Sequence, residues 1–422
     1  MLNKINLTFD VFKNMGLMYV FFRIKHMILI KFRWYYIKFP SNPNFLNSVS
    51  LNFWKKNLPK FIIEGKNIPL KAKKNVKLEN KFKEITSGNF TFFNGLKINI
   101  GKKYDWITNP ITKYRYNINN HWSLIQDIDK NAGDIKFVWE KARFIYLHDV
   151  IRYDFHSKID QSKFVFDEIN DFIDKNPINM GPNYICSQEI SLRIFNWTYI
   201  LHYYKDSKYL TDKLFRKIIN SIYWQFHHIY KNINFSRIAV RNNHAITETL
   251  LLYLSNKFFP FFPESKKWSK NGKKWFEQEI KYQIYDDGTY LQFSMNYHRV
   301  VIQLLTLAIR FSEIYSDPFN KTVYIKAKSS LNFLDNCVDS YSGMLPNYGS
   351  NDGSLILKFT DNHYRNYRSQ LDDLRHVVYG KRYYKSESSA WYGLRNEKIE
   401  SVPKLNNINS FKNGGYYIIN DN

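Results

Sequence analysis

The stretch RNNHAITETLLLYLSNKFFPFFPES, residues 241–265, sets three neutral polar side chains, Asn242, Asn243 and His244, ahead of a long apolar helical run. One side chain is enough to cap a helix. If one asparagine caps the helix that begins near Ala245, the other amide and the imidazole project beside its N-terminus. Free N–H groups and the helix dipole make that place attractive to a carboxylate. The same residues admit a plainer reading, in which both asparagines are cap and turn residues and His244 pairs with Glu248 one turn later.

Working outward, the same helical period recurs on both sides. DIKFVWEKARFIYLHDVIRYDF, SKFVFDEINDFIDKNP (stopped at Pro177), SQEISLRIFNWTYILHYYKD and TDKLFRKIINSIYWQFHHIYKNIN precede the opening stretch. SKKWSKNGKKWFEQEIKYQIY, SMNYHRVVIQLLTLAIRFSEIYSD and NKTVYIKAKSSLNFLDNCVD follow it. About eight helices joined by short turns must bury their stripes on one another. No fixed repeat period marks a familiar solenoid. The pattern predicts a mainly α fold, an incomplete α/α toroid of helical hairpins, with an irregular α-solenoid as the alternative. Residues 1–40 read as a basic amphipathic helical lead-in. Residues 41–130 are punctuated by Asn, Gly and Pro and read as a loop-rich segment with short strands. The toroid is expected over 131–400. Residues 401–422, ending SFKNGGYYIINDN, read as a turn and the first strand of a truncated β-sandwich, because a lone strand edge needs a partner.

Hydrophobic residues make up 44% of the chain and aromatics 18%, which excludes a disordered chain. The net charge of +25 favours a polyanionic partner: nucleic acid, an anionic lipid surface or an acidic polysaccharide. Lys and Arg are spread along the chain rather than gathered in one stripe, so nucleic acid is the lesser alternative. Cys186 and Cys337 form no CxxC and no Cys/His spacing, so neither a zinc site nor a disulfide framework is read, and no metal or cofactor is expected. The apolar runs at 17–22 and 27–30 are interrupted by Arg23, Lys25 and His26, far short of the ~20 residues of a membrane span. No small-residue cleavage site follows a clean apolar core. This lead-in either packs on the body or lies on a membrane surface.

Other clusters bear chemistry. In DDGTYLQFSMNYHRVVIQ, Ser294 or Asn296 can cap a helix, which leaves Tyr297, His298 and Arg299 in its first turn. A positive helix end and a neighbouring Arg299 would make the Tyr297 phenol a slightly better acid; alternatively Tyr297 is an amphipathic interface residue. In LPNYGSNDGS, Asn347, Asn351 and Asp352 alternate with glycines. Carboxylates are too few there for a good calcium site, and a structured turn lining a cleft is expected. Trp139 and Arg143 lie i, i+4 and can stack, either as structure or to hold a sugar or an acid; Glu189, Arg193 and Trp197 repeat that spacing. Walker A, GxGxxG, GxSxG and HExxH are all absent from the sequence. A paired-carboxylate glycosidase through Glu248 with Asp286 or Asp287 is open, with nothing to fix the separation.

Taken in order, DIKFVWEKARF, EISLRIFNW, NNHAITET with FFPFFPESKKW, DDGTYLQFSMNYHR and LPNYGSNDG resemble the heparinase II/III family of polysaccharide lyases. The likeness runs from about 130 to 355 and more loosely to both ends. It implies an α/α toroid followed by an antiparallel β-sandwich, and cleavage of uronic-acid glycans by β-elimination. Carried across by motif, Asn243 and His244 match the pair that contacts the uronate carboxylate. Tyr297 matches the tyrosine acting at the leaving oxygen. Gln292 and Arg299 would be weaker substrate contacts. Uncharged donors would stabilise enolate-like charge without a metal, and a phenol would protonate the departing O4. In the family a histidine or tyrosine from the β-sandwich completes the site; His227, His228 and Tyr297 itself are the substitutes within this sequence. Family members of this kind are periplasmic, with the cytoplasm as the alternative location here. The competing functional classes are a non-catalytic module for acidic glycans and a nucleic-acid-binding protein.

Overall fold

A computed structural model of the chain describes residues 16–43, 49–126, 128–394, 399–403 and 408–419. The lead-in comprises α1 (Leu17–Lys31), α2 (Trp34–Lys38), α3 (Leu51–Lys56), α4 (Val76–Thr86) and a hairpin of β1 (Asn89–Phe92) with β2 (Leu96–Asn99). A short ladder, β3 (Ile128–Asp129) with β4 (Gly133–Asp134), leads into the helical body. There follow α5 (Lys136–Ala142), α6 (Leu147–Ser157), α7 (Ser162–Lys175), α8 (Ser187–Tyr203), α9 (Asp212–Asn234), α10 (Asn243–Phe258), α11 (Ser265–Gln283), α12 (Met295–Ile314), α13 (Lys321–Cys337), α14 (Arg368–Tyr379) and α15 (Ser388–Trp391). The chain closes on an antiparallel hairpin, β5 (Ile408–Phe411) with β6 (Tyr416–Ile419).

The helices sort into two layers. α8, α10, α12 and α14 pack successively on one another, while α9, α11 and α13 pack outside them. Burial follows the layers. Every residue of α8 is buried, as are most of α10 and α12, whereas α9 and α11 keep a polar outer face rich in Lys, Asn and Gln. An inner helix touches neighbours all round, so its polar residues are buried and partnered too, as Glu189 and Arg193 of α8 are; an outer one needs a single apolar stripe. This is the incomplete toroid of helical hairpins expected from the sequence. The side chains of Thr211, Asn242, Ser294 and Asn320 cap α9, α10, α12 and α13.

Three details differ from the sequence reading. The run 134–155 is not one helix: it breaks between α5 and α6, where Phe144 takes φ 62° and buries its ring against Trp106 and Trp197. α14 forms in a part of the expected toroid where the sequence reading singles out no helix, with Leu371 and Leu374 in the core. The C-terminal strand has a partner in β5, and the hairpin is tied to the body where Asp287 Oδ2 accepts the N–H groups of Asn413 (2.7 Å) and Gly414 (3.1 Å). Among the described residues no helix is long and apolar enough to cross a membrane.

Candidate active site

A six-residue π-helical turn, Phe235–Val240, carries the chain from α9 to Arg241, whose φ of 50° throws it across the end of α10. Arg241 lies flat on the Tyr282 ring, 3.3 Å from its centroid. Asn242 is the cap: its Oδ1 accepts the His244 N–H at 2.9 Å, and its carbonyl accepts Gln283 Nε2 at 2.9 Å. Behind it, Gln292 Oε1 accepts the Asn243 N–H (3.2 Å) and faces the Tyr290 hydroxyl (2.7 Å). The helix entry is thus held from three sides before any side chain of Asn243 or His244 is used.

Those two side chains stay uncommitted. Among the described residues, nothing hydrogen-bonds the buried side-chain amide of Asn243 or Nε2 of half-buried His244. The amide atoms of Asn243 and Nε2 of His244 are not sealed from solvent, so both groups are open to a ligand. His244 Nδ1 faces Cys186 Sγ at 3.7 Å. Burial and the positive charge of Arg143 lower the imidazole to about 4, against the opposing pull of Glu189 and Asp352, so it is neutral near pH 7. Burial pushes the Cys186 thiol up, well above its ordinary value.

The second half of the site comes from α12 and the loop before α14. Ser294 caps α12 through the Tyr297 N–H (3.1 Å) and reaches across to the Ser350 carbonyl (2.6 Å), while the Met295 N–H binds the Tyr348 carbonyl (3.1 Å). Gly349, at φ 75°, passes so close to the Phe293 carbonyl that a Cβ would collide with it. This seam delivers Asp352 to Tyr297. Its Oδ2 accepts the phenolic O–H at 2.9 Å, and its Oδ1 accepts Asn296 Nδ2 (3.2 Å) and the Ser354 N–H (3.1 Å). Lys136 Nζ stands 4.0 Å from Asp352. Beneath both halves, Arg143 forks onto Glu189 (2.5 and 2.9 Å) and also binds Glu140. The Arg143 charge acts on His244, Tyr297 and Asp352 alike, lowering the imidazole and the carboxyl and opposing the rise of the phenol.

Contacts tie Asn242 and Asn243 to Gln283 and Gln292 at the entry of α10, His244 to Cys186, Tyr297 to Asp352 and Arg143 to Glu189, and they commit the remaining candidates to other parts of the fold. Arg299 is buried, bound to the Tyr364 carbonyl, Asn296 Oδ1 (2.7 Å) and the Ser354 carbonyl (3.1 Å) and stacked on Tyr367. It supports the loop and does not acidify Tyr297. The phenol is instead raised, first by burial and then by the Asp352 carboxylate, opposite to the sequence expectation. His298 is buried against Phe333 and lowered to about 3. Trp139 does not stack on Arg143; its indole N–H binds the Pro182 carbonyl at 2.9 Å. Asn347 is exposed and accepts Asn351 Nδ2. Gln292 backs the Asn243 backbone through its carbonyl oxygen. Glu248 does not pair with His244 but accepts the Ser236 hydroxyl at 2.7 Å. Asp286 pairs with Lys326 and Asp287 holds the hairpin, so the paired-carboxylate reading loses its members. His228 is buried on Asn179 Oδ1 (2.7 Å) and His227 packs on Trp224, so neither substitutes in the site. No cluster of three metal-binding side chains occurs among the described residues. The sequence reading missed Asp352 as the partner of Tyr297 and Cys186 as the partner of His244. The pattern SNDGS gave Asp352 away only as a turn.

The family profile described as "Heparinase II/III N-terminus" matches residues 51–317, well over half of the chain. The chain belongs to the heparinase II/III family. Among solved structures, "Crystal Structure of Heparinase III" aligns over 91% of this chain and 53% of its own, at 12% identity and a TM-score of 0.52. The heparan sulfate lyase HepC from Pedobacter heparinus aligns over 70% of this chain and 44% of its own, at 17% identity and a TM-score of 0.48. The product of the heparinase III gene BT4657 gives 68%, 44%, 17% and 0.47. The heparinase III match supports the helical fold at these identities and nothing finer. The chain spans roughly half or less of the length of these structures. No curated protein matches it in sequence.

Proposed function

We propose that this heparinase II/III-family chain is a polysaccharide lyase-like protein that takes an acidic, uronic-acid-containing glycan and cleaves it by β-elimination. The observations that carry the reading are a pair of unclaimed neutral groups, the Asn243 amide and His244 Nε2, at a helix N-terminus, and a phenol, Tyr297, held on Asp352. The C5 proton of a uronate is hard to remove while its carboxylate is fully charged. Neutral donors on that carboxylate favour the enolate-like charge that develops as the proton leaves. Tyr297, raised above the ordinary tyrosine range, keeps its proton at every physiological pH and is suited to protonate O4 of the departing sugar, while the C5 proton passes to a separate general base. The net charge of +25 draws a polyanionic chain toward the cleft.

The test is incubation with a panel of uronic-acid glycans while an ultraviolet-absorbing unsaturated product is monitored. The reading expects product from wild type and its loss in Tyr297→Phe and Asn243→Ala; no product from any glycan removes catalysis. A second reading, an acidic-glycan-binding module that does not cleave, draws on the Tyr297 hydroxyl being committed to Asp352. It expects salt-sensitive glycan binding with no product.

A further inference from the structure

The clearest unexplained feature lies on α1 and α2, where α1 packs against the π-helical turn Phe235–Val240. α1 packs on the body through one face only. The Phe22 and His26 rings lie 6.3 and 5.3 Å from that of Phe235, His26 Nδ1 meets the Tyr35 hydroxyl at 2.6 Å, and Leu29 and Ile30 rest against the core. None of its residues is buried. The opposite face is apolar and open to solvent. At 100° per residue, Leu17, Phe21, Ile24 and Ile28 fall within about 60° of arc, and Met27 widens the stripe to about 120°. Leu17 is 56% and Phe21 68% exposed. The stripe continues past the turn at Arg33 through Phe32, Trp34 (62%) and Ile37 (85%). A contiguous apolar face of this kind needs something to cover it.

Its charge pattern says what. On the same helical projection Arg23 lies on one flank of the stripe and Lys25 on the other, with Lys31 at its C-terminal end. Between Leu17 and Lys38 there are five Lys or Arg and no Asp or Glu. Burial first, and then the charges of Lys25 and Lys231, bring the Lys38 ammonium down to about 8. An apolar stripe between two cationic flanks, with a tryptophan beside it, suits the boundary of an anionic bilayer: the stripe enters the acyl layer and the cations meet lipid phosphates. At 1.5 Å per residue α1 reaches about 22 Å, too short to span a hydrocarbon core of about 30 Å, so it lies along the surface. A second copy of this chain would bring the same cations face to face. We propose that α1 and α2 form an anionic-lipid docking surface, independent of any activity at the cleft.

The test is flotation of the full chain with vesicles of phosphatidylglycerol mixed into phosphatidylcholine, against phosphatidylcholine alone. Wild type is expected to float with the anionic vesicles, less so in high salt. Phe21→Glu/Ile28→Glu and, separately, Arg23→Glu/Lys25→Glu are expected to lose about 10-fold or more in binding, with thermal unfolding unchanged because the altered side chains are exposed. Quenching by brominated lipid is expected to fall in Trp34→Phe. The proposal is overturned if wild type stays with the protein fraction. It is equally overturned if both charge variants bind like wild type, or if light scattering shows a dimer that Phe21→Glu/Ile28→Glu dissolves while vesicles go unbound.

Discussion

The Tyr297 hydroxyl donates to Oδ2 of Asp352 at 2.9 Å, across 55 residues of sequence, and the carboxylate is itself held by Asn296 and Ser354. The phenol therefore rests with its proton pinned to an anion, and its acidity is set by that anion as well as by burial.

Tyr297→Phe is expected to lower the elimination rate by about 10²–10⁴-fold, the usual contribution of a positioned proton donor, while glycan affinity stays near wild type. Asp352→Asn is expected to bring the Tyr297 pKa down by removing the negative neighbour. A 3-fluorotyrosine placed at 297 reads that shift by fluorine resonance, and an unchanged titration would refute the pairing.

Asn243→Ala is expected to cost about 10²–10³ in kcat, as loss of one preorganised donor does elsewhere. Asn243→Asp, which sets like charge against the substrate carboxylate, is expected to weaken glycan binding about 100-fold. Cys186→Ala removes the group at His244 Nδ1, and nitrogen-15 shifts of the imidazole are expected to show the two neutral tautomers mixing. Cys186→Ser, which restores a donor, is expected to hold one form.

Buried Glu248 is raised to about 8 by desolvation, against an ordinary value of 4.5. The fold favours its protonated form, so this stabilising share is complete below pH 4.5 and is lost as pH rises through 8. Glu248→Gln is expected to match wild type in acid and to exceed it above pH 8 by a few kcal/mol at most, roughly. Buried His148 and His202, lowered to about 4 and about 3, act in the opposite sense. Their share is present above pH 6.5 and lost as pH falls toward 3. Urea unfolding across pH 3–9 is expected to show stability falling on both sides, with only the alkaline limb flattened in the glutamine variant.

Gly272 on α11 lies where a Cβ would strike the Tyr253 backbone nitrogen and the Leu252 carbonyl carbon of α10. Gly272→Ala is expected to destabilise by roughly 1–3 kcal/mol or more, since backbone rather than a movable side chain must yield; differential scanning calorimetry measures it.

Much of the fold was legible because inner and outer helices carry different patterns. The continuous apolar run of 250–254 and the one-sided stripe of 212–234 each name their layer. The caps at Asn242 and Ser294 were legible too, because capping is a local event. The break at Phe144 was not, since a left-handed aromatic gains its place only from Trp106 and Trp197. In the site, Asn243, His244 and Tyr297 were within reach of sequence because each sits in the first turn of a helix. Asp352 and Glu189 were not. Their partners lie 55 and 46 residues away, and no local pattern records which carboxylate crosses a cleft. Arg299 was misjudged for the same reason: its neighbours in space are the carbonyls of Ser354 and Tyr364.

The seat of Gly272 has a bearing on how the clamp can vary. α10 cannot rotate about its long axis or slide along α11 without pressing a backbone against a backbone, so its first turn has a fixed heading. On the proposed lyase reading, Asn243 and His244 form the immobile jaw, and variation in the glycan taken would have to come from elements other than α10.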